Sequence, residues 1–304
     1  MRLSQAIAQG TQRLSAAARG NARLDAETLL MHVLERDRAF LIAHSEESLS
    51  ADQFARYGEM VERRAVGEPL QYITGHQEFW GLDFLVTPSV LIPRPETEHA
   101  VETALELLRG IESPRVVDVG TGSGCIALAI ASELPQARVD AVDISEDALQ
   151  VARQNASRFG LTERVRFVRS DLLSAFLGKG LLSGMLETRR APSDERRDST
   201  EYHTTFDIVI SNPPYVGEQE AEKLQIEVRG HEPHCALFGG REGLDVYRRL
   251  IPQAREVLKP GGWLVLEIGY SQEEQVQQLL SNWTDLRSVR DLQGIPRVVA
   301  ARRK

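Results

Sequence analysis

Cysteines and long apolar runs are scarce in this sequence. Its 304 residues contain only two cysteines, Cys125 and Cys235, which cannot build a disulfide framework and so favour a reducing compartment. Apolar runs are of strand length, such as residues 263–266, whereas a membrane span needs roughly 20 consecutive apolar residues. No secretory hydrophobic region is present either. We therefore expect a cytoplasmic protein without a membrane partner.

Acidic residues are absent from residues 1–24, which contain four arginines. Such a start is typical of a transit peptide to the mitochondrial matrix. However, Leu3, Ile7 and Leu14 recur at helical spacing, and the helical pattern continues without a linker to Leu34. This pattern favours an amphipathic first helix, and with it the cytoplasm over the mitochondrial matrix.

The chain also lacks an excess of positive charge. It has 36 Lys and Arg residues against 44 Asp and Glu residues, for a net charge of −8. A protein that wraps nucleic acid usually presents a basic face, so the charge argues against a nucleic-acid partner and allows a protein or a small molecule. With 42% hydrophobic and 26% charged residues, the chain can bury a core in one large or two modest domains.

Proline is absent before Pro69, and apolar residues recur at helical spacing through residues 1–66. Ser50 precedes polar residues that are typical of a helix start. We predict a helical N-terminal domain over residues 1–75, with about four helices in its first 66 residues.

Glycines and prolines then punctuate residues 67–95, and we place a linker over residues 76–96. Two short β-like runs, at residues 78–80 and 82–86, meet near Gly81. This pattern predicts a β-hairpin that links two domains.

Strand-like and helix-like segments alternate over residues 97–304, which predicts a parallel sheet covered on both faces. The predicted strands are 115–119, 138–142, 165–169, 206–211, 263–268, 286–291 and 297–301. The predicted helices are 97–108, 125–133, 146–159, 246–258 and 272–280. The last two strands are expected to form an antiparallel hairpin that ends the sheet. Residues 178–204 are polar, charged and aperiodic, and we predict a mobile surface insertion there.

A glycine-rich turn follows the strand predicted at 115–119 and reads Gly-Thr-Gly-Ser-Gly at residues 120–124. Glycines allow positive φ angles and a close approach of the backbone to a ligand. Residues 122–127 also satisfy the dinucleotide pattern G-x-G-x-x-G/A, and Asp143 at the next strand end would bind ribose in either case. A nicotinamide enzyme therefore stays open at this point. The position of Asp118, two residues before the first glycine, resembles instead motif I of class I S-adenosylmethionine methyltransferases.

Asp171 and Leu172 follow the third predicted strand, at residues 165–169. In such methyltransferases this position holds adenine, with a carboxylate for the exocyclic amine and an apolar wall for the ring. A helix cap is the alternative role for Asp171.

A second motif, Asn-Pro-Pro-Tyr at residues 212–215, follows the strand predicted at 206–211. Pro213 and Pro214 fix φ and remove two backbone donors, so the turn presents acceptors, to which the Asn212 side-chain oxygen adds one more. Two acceptors suit a planar NH₂ group, and Tyr215 offers a ring face. An amide nitrogen is a poor nucleophile, so its catalysis would rest on positioning and electrostatics. The motif resembles motif IV of methyltransferases that act on amino or amide nitrogen.

Further segments extend these two motifs into a longer pattern. The additional segments are residues 67–75, 79–81, 90–98, 232–233, 239–240 and 267–269. Together they resemble the HemK (PrmC) family, the N5-glutamine methyltransferases of peptide chain release factors. This resemblance implies a class I methyltransferase fold: a Rossmann-like α/β domain with a mainly parallel seven-stranded sheet and an antiparallel end strand, plus a small helical N-terminal domain.

The resemblance also implies S-adenosylmethionine as the cofactor. The methionine end of the cofactor would lie on Gly120, Thr121, Gly122, Ser123 and Gly124. Asp143 would bind the ribose, and Asp171 and Leu172 would flank the adenine. The family often has an aromatic residue where this chain has Leu172.

The implied substrate is the glutamine of a Gly-Gly-Gln loop in a release factor. Its amide would be held by Asn212, Pro213, Pro214 and Tyr215, with Asn212 also contacting the cofactor. Residues 94–98 would roof the site, and the N-terminal domain would contact the release factor. We expect a monomer.

Other residues suggest weaker alternatives. His231, His234 and Cys235 have metal-like spacing, but a zinc site needs four ligands and no second cluster follows, so we expect no metal. Glu267 ends a strand near the site, and a structural and a functional role both stay open. Two other function classes also stay open. One is a nucleic-acid amino-methyltransferase, which would need a basic groove, and the other is a non-catalytic cofactor-binding module.

Overall fold

The computed structural model describes residues 1–17, 20–177 and 205–304. The insertion predicted over residues 178–204 lies outside the described residues. Among the helices that are described, none is both long enough and apolar enough to cross a membrane.

Helices make up the N-terminal part of the chain. They are α1 (Leu3–Ala16), α2 (Ala22–Leu34), α3 (Arg38–Ala43), α4 (Ala51–Ala65) and α5 (Leu70–Thr74). The predicted start at Ser50 is confirmed: its hydroxyl accepts from Gln53 N at 3.1 Å, and Gln53 Oε1 accepts from Ser50 N at 2.9 Å. This reciprocal cap satisfies two backbone donors at the start of α4. The apolar faces of the helices share a core that includes Leu14, Leu29 and Tyr57.

A β-hairpin connects these helices to the larger sheet. Strands β1 (His76–Phe79) and β2 (Leu82–Leu85) pair antiparallel, which confirms the hairpin predicted near Gly81. The turn places Trp80 at φ +56° and Gly81 at φ +70°.

Seven further strands form one sheet. They are β3 (Arg115–Val119), β4 (Arg138–Asp143), β5 (Val165–Arg169), β6 (Phe206–Ser211), β7 (Leu258–Glu267), β8 (Thr284–Arg290) and β9 (Pro296–Arg302). Their order is β5-β4-β3-β6-β7-β9-β8. The neighbours from β5 to β7 are parallel, and β9 is antiparallel to both β7 and β8. The mainly parallel seven-stranded sheet is thus confirmed, with β9 as its antiparallel strand.

Helices cover both faces of this sheet. They are α6 (Glu98–Leu107), α7 (Cys125–Glu133), α8 (Glu146–Arg158), α11 (Asp245–Val257) and α12 (Glu273–Leu279). Two short helices, α9 (Ile226–His231) and α10 (His234–Leu237), lie in the segment between β6 and α11. Successive strand residues point to opposite faces, so Val116 belongs to the core shared with α6 and α7 and Val117 to the core shared with α11 and α12. Strand order reverses between β3 and β6, and ligands of open α/β sheets bind at such a point.

β7 begins earlier than the strand predicted at residues 263–268. Leu258 already pairs with Phe206, and the register then shifts so that Trp263 pairs with Ile208. Lys259 lies within this irregular stretch, and its Nζ donates to Asp207 Oδ1 at 2.7 Å. The Lys-Pro-Gly-Gly sequence is typical of a turn, but this ion pair and the strand pairing keep it in the sheet.

Candidate active site

A cleft of about 250 Å³ lies beyond the carboxyl ends of β3, β4, β5 and β6. The predicted site residues that line it are Gly120, Thr121, Gly122, Ser123, Asp143, Asp171, Leu172, Asn212 and Pro214. The predicted residues Gly124, Pro213 and Tyr215 are outside this lining. The structure thus brings the ends of four strands, and most of the predicted residues, to one place.

The glycine-rich turn gives the cleft a wall of backbone. Gly120, Gly122 and Gly124 have φ angles of +73°, +54° and +85°, which other residues adopt only with strain. A Cβ atom added at Gly120 or Gly122 would meet no atom within 4 Å. The backbone there borders open space, as it must if a ligand is to approach it.

Asp118 anchors this turn from below the surface. Its Oδ2 accepts from Thr121 Oγ1 at 2.6 Å and from Ala127 N at 3.2 Å. Within the described residues, its Oδ1 is buried without a hydrogen-bond partner. Burial raises the pKa of the Asp118 carboxyl to about 7, although the bonds from Thr121 and Ala127 favour its charged form.

Asp143 joins the end of β4 to the same turn. Its Oδ2 accepts from Gly122 N and its Oδ1 from Ser145 N, each at 2.9 Å. Burial raises the pKa of Asp143, and these backbone bonds lower it. The next residue, Ile144, lines the cleft with 57% of its surface exposed. A carboxylate can accept hydrogen bonds from ribose hydroxyls, and the neighbouring apolar side chain can pack against a base.

Asp171 has a partner that sequence reasoning missed. Its Oδ2 accepts from Arg249 Nη2 of α11 at 2.6 Å, and both side chains are about half exposed. Leu172 follows at φ +51°, a left-handed conformation that is strained for a leucine. Arg249 and Leu172 both line the cleft, so this end combines an ion pair with an apolar surface.

Asn212 is oriented by a residue from the roof loop, residues 89–97. Its Nδ2 donates to Thr97 Oγ1 at 3.1 Å, so its Oδ1 is free to face the cleft. Thr97 is 1% exposed and ends the 3-10 turn Pro95–Thr97. Residues 90–98 belong to the sequence pattern described above, but that pattern did not single out Thr97.

Tyr215 supports the turn from behind. Its hydroxyl is 3.4 Å from Glu267 Oε1, and its backbone oxygen accepts from Gln272 Nε2 at 2.9 Å. Burial, followed by the Glu267 charge, raises the pKa of Tyr215 above its usual range. Its ring packs against the core shared with α11.

Two more contacts hold the roof loop over the cleft. Arg94 Nη2 donates to the buried Glu232 Oε1 at 2.5 Å, and the Tyr72 hydroxyl donates to Val90 O at 2.5 Å. Burial raises the pKa of Glu232, whereas Arg94 lowers it. The loop is thereby tied to α5 on one side and to the segment before α10 on the other.

Asn155 of α8 links the hairpin to the glycine-rich turn, and sequence reasoning missed it. Its Oδ1 accepts from Leu85 N at 2.7 Å. Its Nδ2 donates to Leu85 O at 3.0 Å and to Ser123 O at 2.9 Å. Within a helical pattern, an asparagine carries no signal for contacts with β2 and a distant turn.

Comparison with known families matches both parts of the chain. Residues 5–75 match the family described as "PrmC N-terminal domain". Residues 112–295 match the family described as "Methyltransferase domain".

Two curated relatives are similar over almost their whole length. The chain is 50% identical over 303 residues to the release factor glutamine methyltransferase of Koribacter versatilis, which covers 100% of this chain and 99% of the relative. It is 41% identical over 297 residues to the protein of the same name from Bradyrhizobium diazoefficiens, with 96% and 91% covered.

Solved structures share the fold at low sequence identity. The hMettl16 catalytic domain in complex with the MAT2A 3′UTR hairpin 6 has a TM-score of 0.54 and 15% identity, and the match covers 87% of this chain and 92% of that chain. At this identity the similarity concerns the fold alone, which is that of class I methyltransferases.

Proposed function

The chain belongs to the family of release factor glutamine methyltransferases, and we propose that it transfers a methyl group from S-adenosylmethionine to a glutamine of a release factor. The acceptor atom is the side-chain amide nitrogen, N5, of the glutamine in the Gly-Gly-Gln loop. One observation carries this proposal: Thr97 orients the Asn212 amide at the cleft, beside the glycine-rich turn. An aimed carbonyl oxygen suits the planar NH₂ group of a glutamine.

The cleft residues fit S-adenosylmethionine. Open space borders Gly120 and Gly122, and the carboxyls of Asp143 and Asp171 line the same cleft. When bound, this cofactor supplies an electrophilic methyl group on a sulfonium centre. We propose that Gly120, Thr121, Gly122, Ser123 and Gly124 hold its methionine end, Asp143 the ribose, and Asp171 and Leu172, with Ile144, the adenine.

The protein's contribution to the reaction is positioning. An amide nitrogen is a weak nucleophile because its lone pair is delocalised into the carbonyl group. Asn212 Oδ1 and a carbonyl of the turn would accept both N–H bonds, which aims the nitrogen and stabilises positive charge that develops on it. Pro213 and Pro214 keep this turn rigid and free of backbone donors. Since Tyr215 does not line the cleft, we assign its ring to holding the turn.

The N-terminal helices are the proposed contact for the release factor. Arg64 of α4 donates to Glu227 of α9 at 2.8 Å, so these helices touch the segment that follows the Asn-Pro-Pro-Tyr turn. Both cysteines are free thiols, as in a reducing compartment. We place the reaction in the cytoplasm, on a protein rather than a nucleic acid, and expect a monomer.

Methyl transfer to a purified release factor tests this function. Labelled S-adenosylmethionine is incubated with the enzyme and either the release factor or a copy whose loop glutamine is alanine. Label is expected on the first protein and not on the second. Replacing Asn212 by Ala should lower kcat roughly 100-fold or more, since it removes one of the two acceptors for the amide.

The exposed Asn282 provides the matched control. Asn282→Ala should retain the wild-type kcat, because Asn282 is not part of the cleft. Confirmed cofactor binding with label on neither release factor would refute the proposed substrate and point to a nucleic acid or another protein. An Asn212→Ala variant with normal turnover would refute the role of Asn212.

A further inference from the structure

Leu172 lines the cleft in a backbone conformation that a leucine adopts only with strain. Its φ is +51°, in the left-handed region that favours glycine. It takes the second position of a turn that Ser174 N closes on Asp171 O at 3.2 Å. A strained residue persists only where its surroundings hold it, so the neighbours of this turn must supply the hold.

Helix α11 holds the turn on both sides of Leu172. Arg249 Nη2 donates to Asp171 Oδ2 at 2.6 Å, and Gln253 Oε1 accepts from Leu173 N at 2.9 Å. Residues four apart on a helix lie on the same face, so Arg249 and Gln253 reach the turn together. The left-handed residue thus lies between two residues that are both hydrogen-bonded to one helix.

The same face of α11 also borders the cleft. Val246 precedes Arg249 by three positions, and both residues line the cleft together with Leu172. Leu172 also packs against the core shared with α11. The contacts that place the Leu172 side chain in the cleft therefore include side chains of α11 at three levels of the helix.

We infer that Arg249 and Gln253 are positioning residues, which hold Leu172 in its left-handed conformation and so build the apolar wall for the adenine. The inference rests on the proposed function in one respect, the placement of the adenine beside Asp171 and Leu172. It goes further because it assigns the shape of this pocket to α11, a helix outside both motifs. Asp171 Oδ2 anchors the turn on Arg249, and its Oδ1 can still accept from the exocyclic amine of the base.

The substitution Leu172→Gly separates this role from other roles of Arg249. It allows a positive φ without strain, so the turn would keep its form without help from α11. If Arg249 acts through Leu172, its loss should matter in the wild-type chain and hardly at all in the Leu172→Gly background. If Arg249 contacts the base itself, or only supports the fold, its loss should matter equally in both.

Binding measurements on the full-length protein test this inference. The variants are Arg249→Met, Arg249→Lys, Gln253→Met, Leu172→Gly and the double variant Leu172→Gly/Arg249→Met. Calorimetric titration gives the dissociation constant of S-adenosylhomocysteine, the product form of the cofactor. It also gives that of 5′-methylthioadenosine, which has the same base and ribose but lacks the amino-acid end. The melting temperature of each variant reports on its folding.

Arg249→Met and Gln253→Met should each weaken the binding of both ligands about fivefold, as for the loss of one exposed ion pair or one hydrogen bond. The losses should be equal for the two ligands because the turn borders the base and not the amino-acid end. Arg249→Lys should lose less, since it keeps a cation for Asp171. Leu172→Gly should itself bind less tightly without the apolar wall, but adding Arg249→Met should change its affinity by less than about twofold.

Arg248→Met is the matched control on the same helix. Arg248 is about as exposed as Arg249 and binds Glu242 and Asp245, and it is outside the lining of the described cleft. Its loss should leave both dissociation constants at their wild-type values. A loss of affinity equal to that of Arg249→Met would mean a general effect of charge and would overturn the inference.

Two further outcomes would overturn the inference alone. One is wild-type affinity in both Arg249→Met and Gln253→Met. The other is a fivefold loss that persists in the Leu172→Gly background, since Arg249 would then act without Leu172. A wild-type protein that binds neither ligand would overturn this inference and the proposed cofactor site together, whereas normal binding without methyl transfer to a release factor would overturn the proposed substrate alone.

Discussion

Asp118 shows how one buried carboxyl can govern the pH dependence of stability. Its folded-state pKa is about 7, against an ordinary value of 3.8. At pH values between 3.8 and about 7, the Asp118 carboxyl keeps its proton in the folded state and releases it in the unfolded state. The free energy of unfolding contributed by Asp118 therefore falls as pH rises across this window, by about 1.4 kcal/mol per unit while the states differ by one proton. Above about pH 7 the loss is complete.

Replacing Asp118 by Asn should remove this dependence. Its side-chain oxygen can still accept from Thr121 and Ala127, and the variant has no proton to lose. Relative to wild type, its free energy of unfolding should rise from pH 4 to pH 7, as measured by urea denaturation at several pH values. Asp285→Asn, at a half-exposed carboxyl, removes the same charge and should lack the trend. A pH-independent difference between Asp118→Asn and wild type would contradict the prediction.

At the residue scale, the sequence was informative where a motif carries the chemistry. The glycines at 120–124, Asp143 and Asn212 follow predicted strands, and the carboxyl ends of parallel strands meet at one edge. Thr97 and Asn212 are 115 positions apart, and no local pattern connects them. Such pairs become visible only when the fold brings two loops together.

Asn155 links three elements, α8, β2 and the turn between β3 and α7. It is fully buried and makes hydrogen bonds with both backbone groups of Leu85 and with Ser123 O. Replacing it by Asp keeps the acceptor for Leu85 N but removes both donors, and sets a buried carboxylate against two carbonyl oxygens. We expect a loss of about 2–4 kcal/mol in the free energy of unfolding, and weaker binding of S-adenosylmethionine because the turn loses its support.

Urea denaturation and calorimetric titration with the cofactor measure the two effects. Asn282→Asp introduces the same change at an exposed site and should alter neither. A loss below about 1 kcal/mol in Asn155→Asp, or unchanged cofactor affinity, would show that the turn does not depend on Asn155.

At the element scale, periodicity located the strands and the longer helices to within one or two residues in most cases. Periodicity predicted no element over residues 218–237, where the structure has the 3-10 turn Glu218–Lys223 and the short helices α9 and α10. Glu218–Lys223 and α9 have no buried residues, so no apolar stripe marks them. Ion pairs attach this region to its neighbours: Arg64–Glu227 joins it to α4, and Arg94–Glu232 joins it to the roof loop.

At the scale of the whole molecule, Arg64 is one of the links between the N-terminal helices and the rest of the chain. It is 6% exposed and bridges Asp25 of α2 at 2.6 Å and Glu227 of α9 at 2.8 Å. Replacing Arg64 by Met should cost about 3–5 kcal/mol of unfolding free energy, because Asp25 stays buried without its partner. Chemical denaturation measures this loss.

The neighbouring Arg63 serves as a control of the same residue type. Its partner is Glu68, and the Arg63 side chain is 46% exposed, so Arg63→Met should cost no more than about 1 kcal/mol. Equal losses in the two variants would mean that the buried bridge is not what joins the two parts.

The position of β9 has a consequence for how the protein is made. β9 follows β8 in the chain, yet in the sheet it separates β8 from β7. A nascent chain that has emerged only to residue 295 therefore leaves the edge of β7 open, and β8 has no strand to pair with. Open edges attract other chains, and non-local pairing is slow. A chain that ends before Pro296 would thus lack β9 and leave β8 unpaired, and the open edge of β7 would favour aggregation.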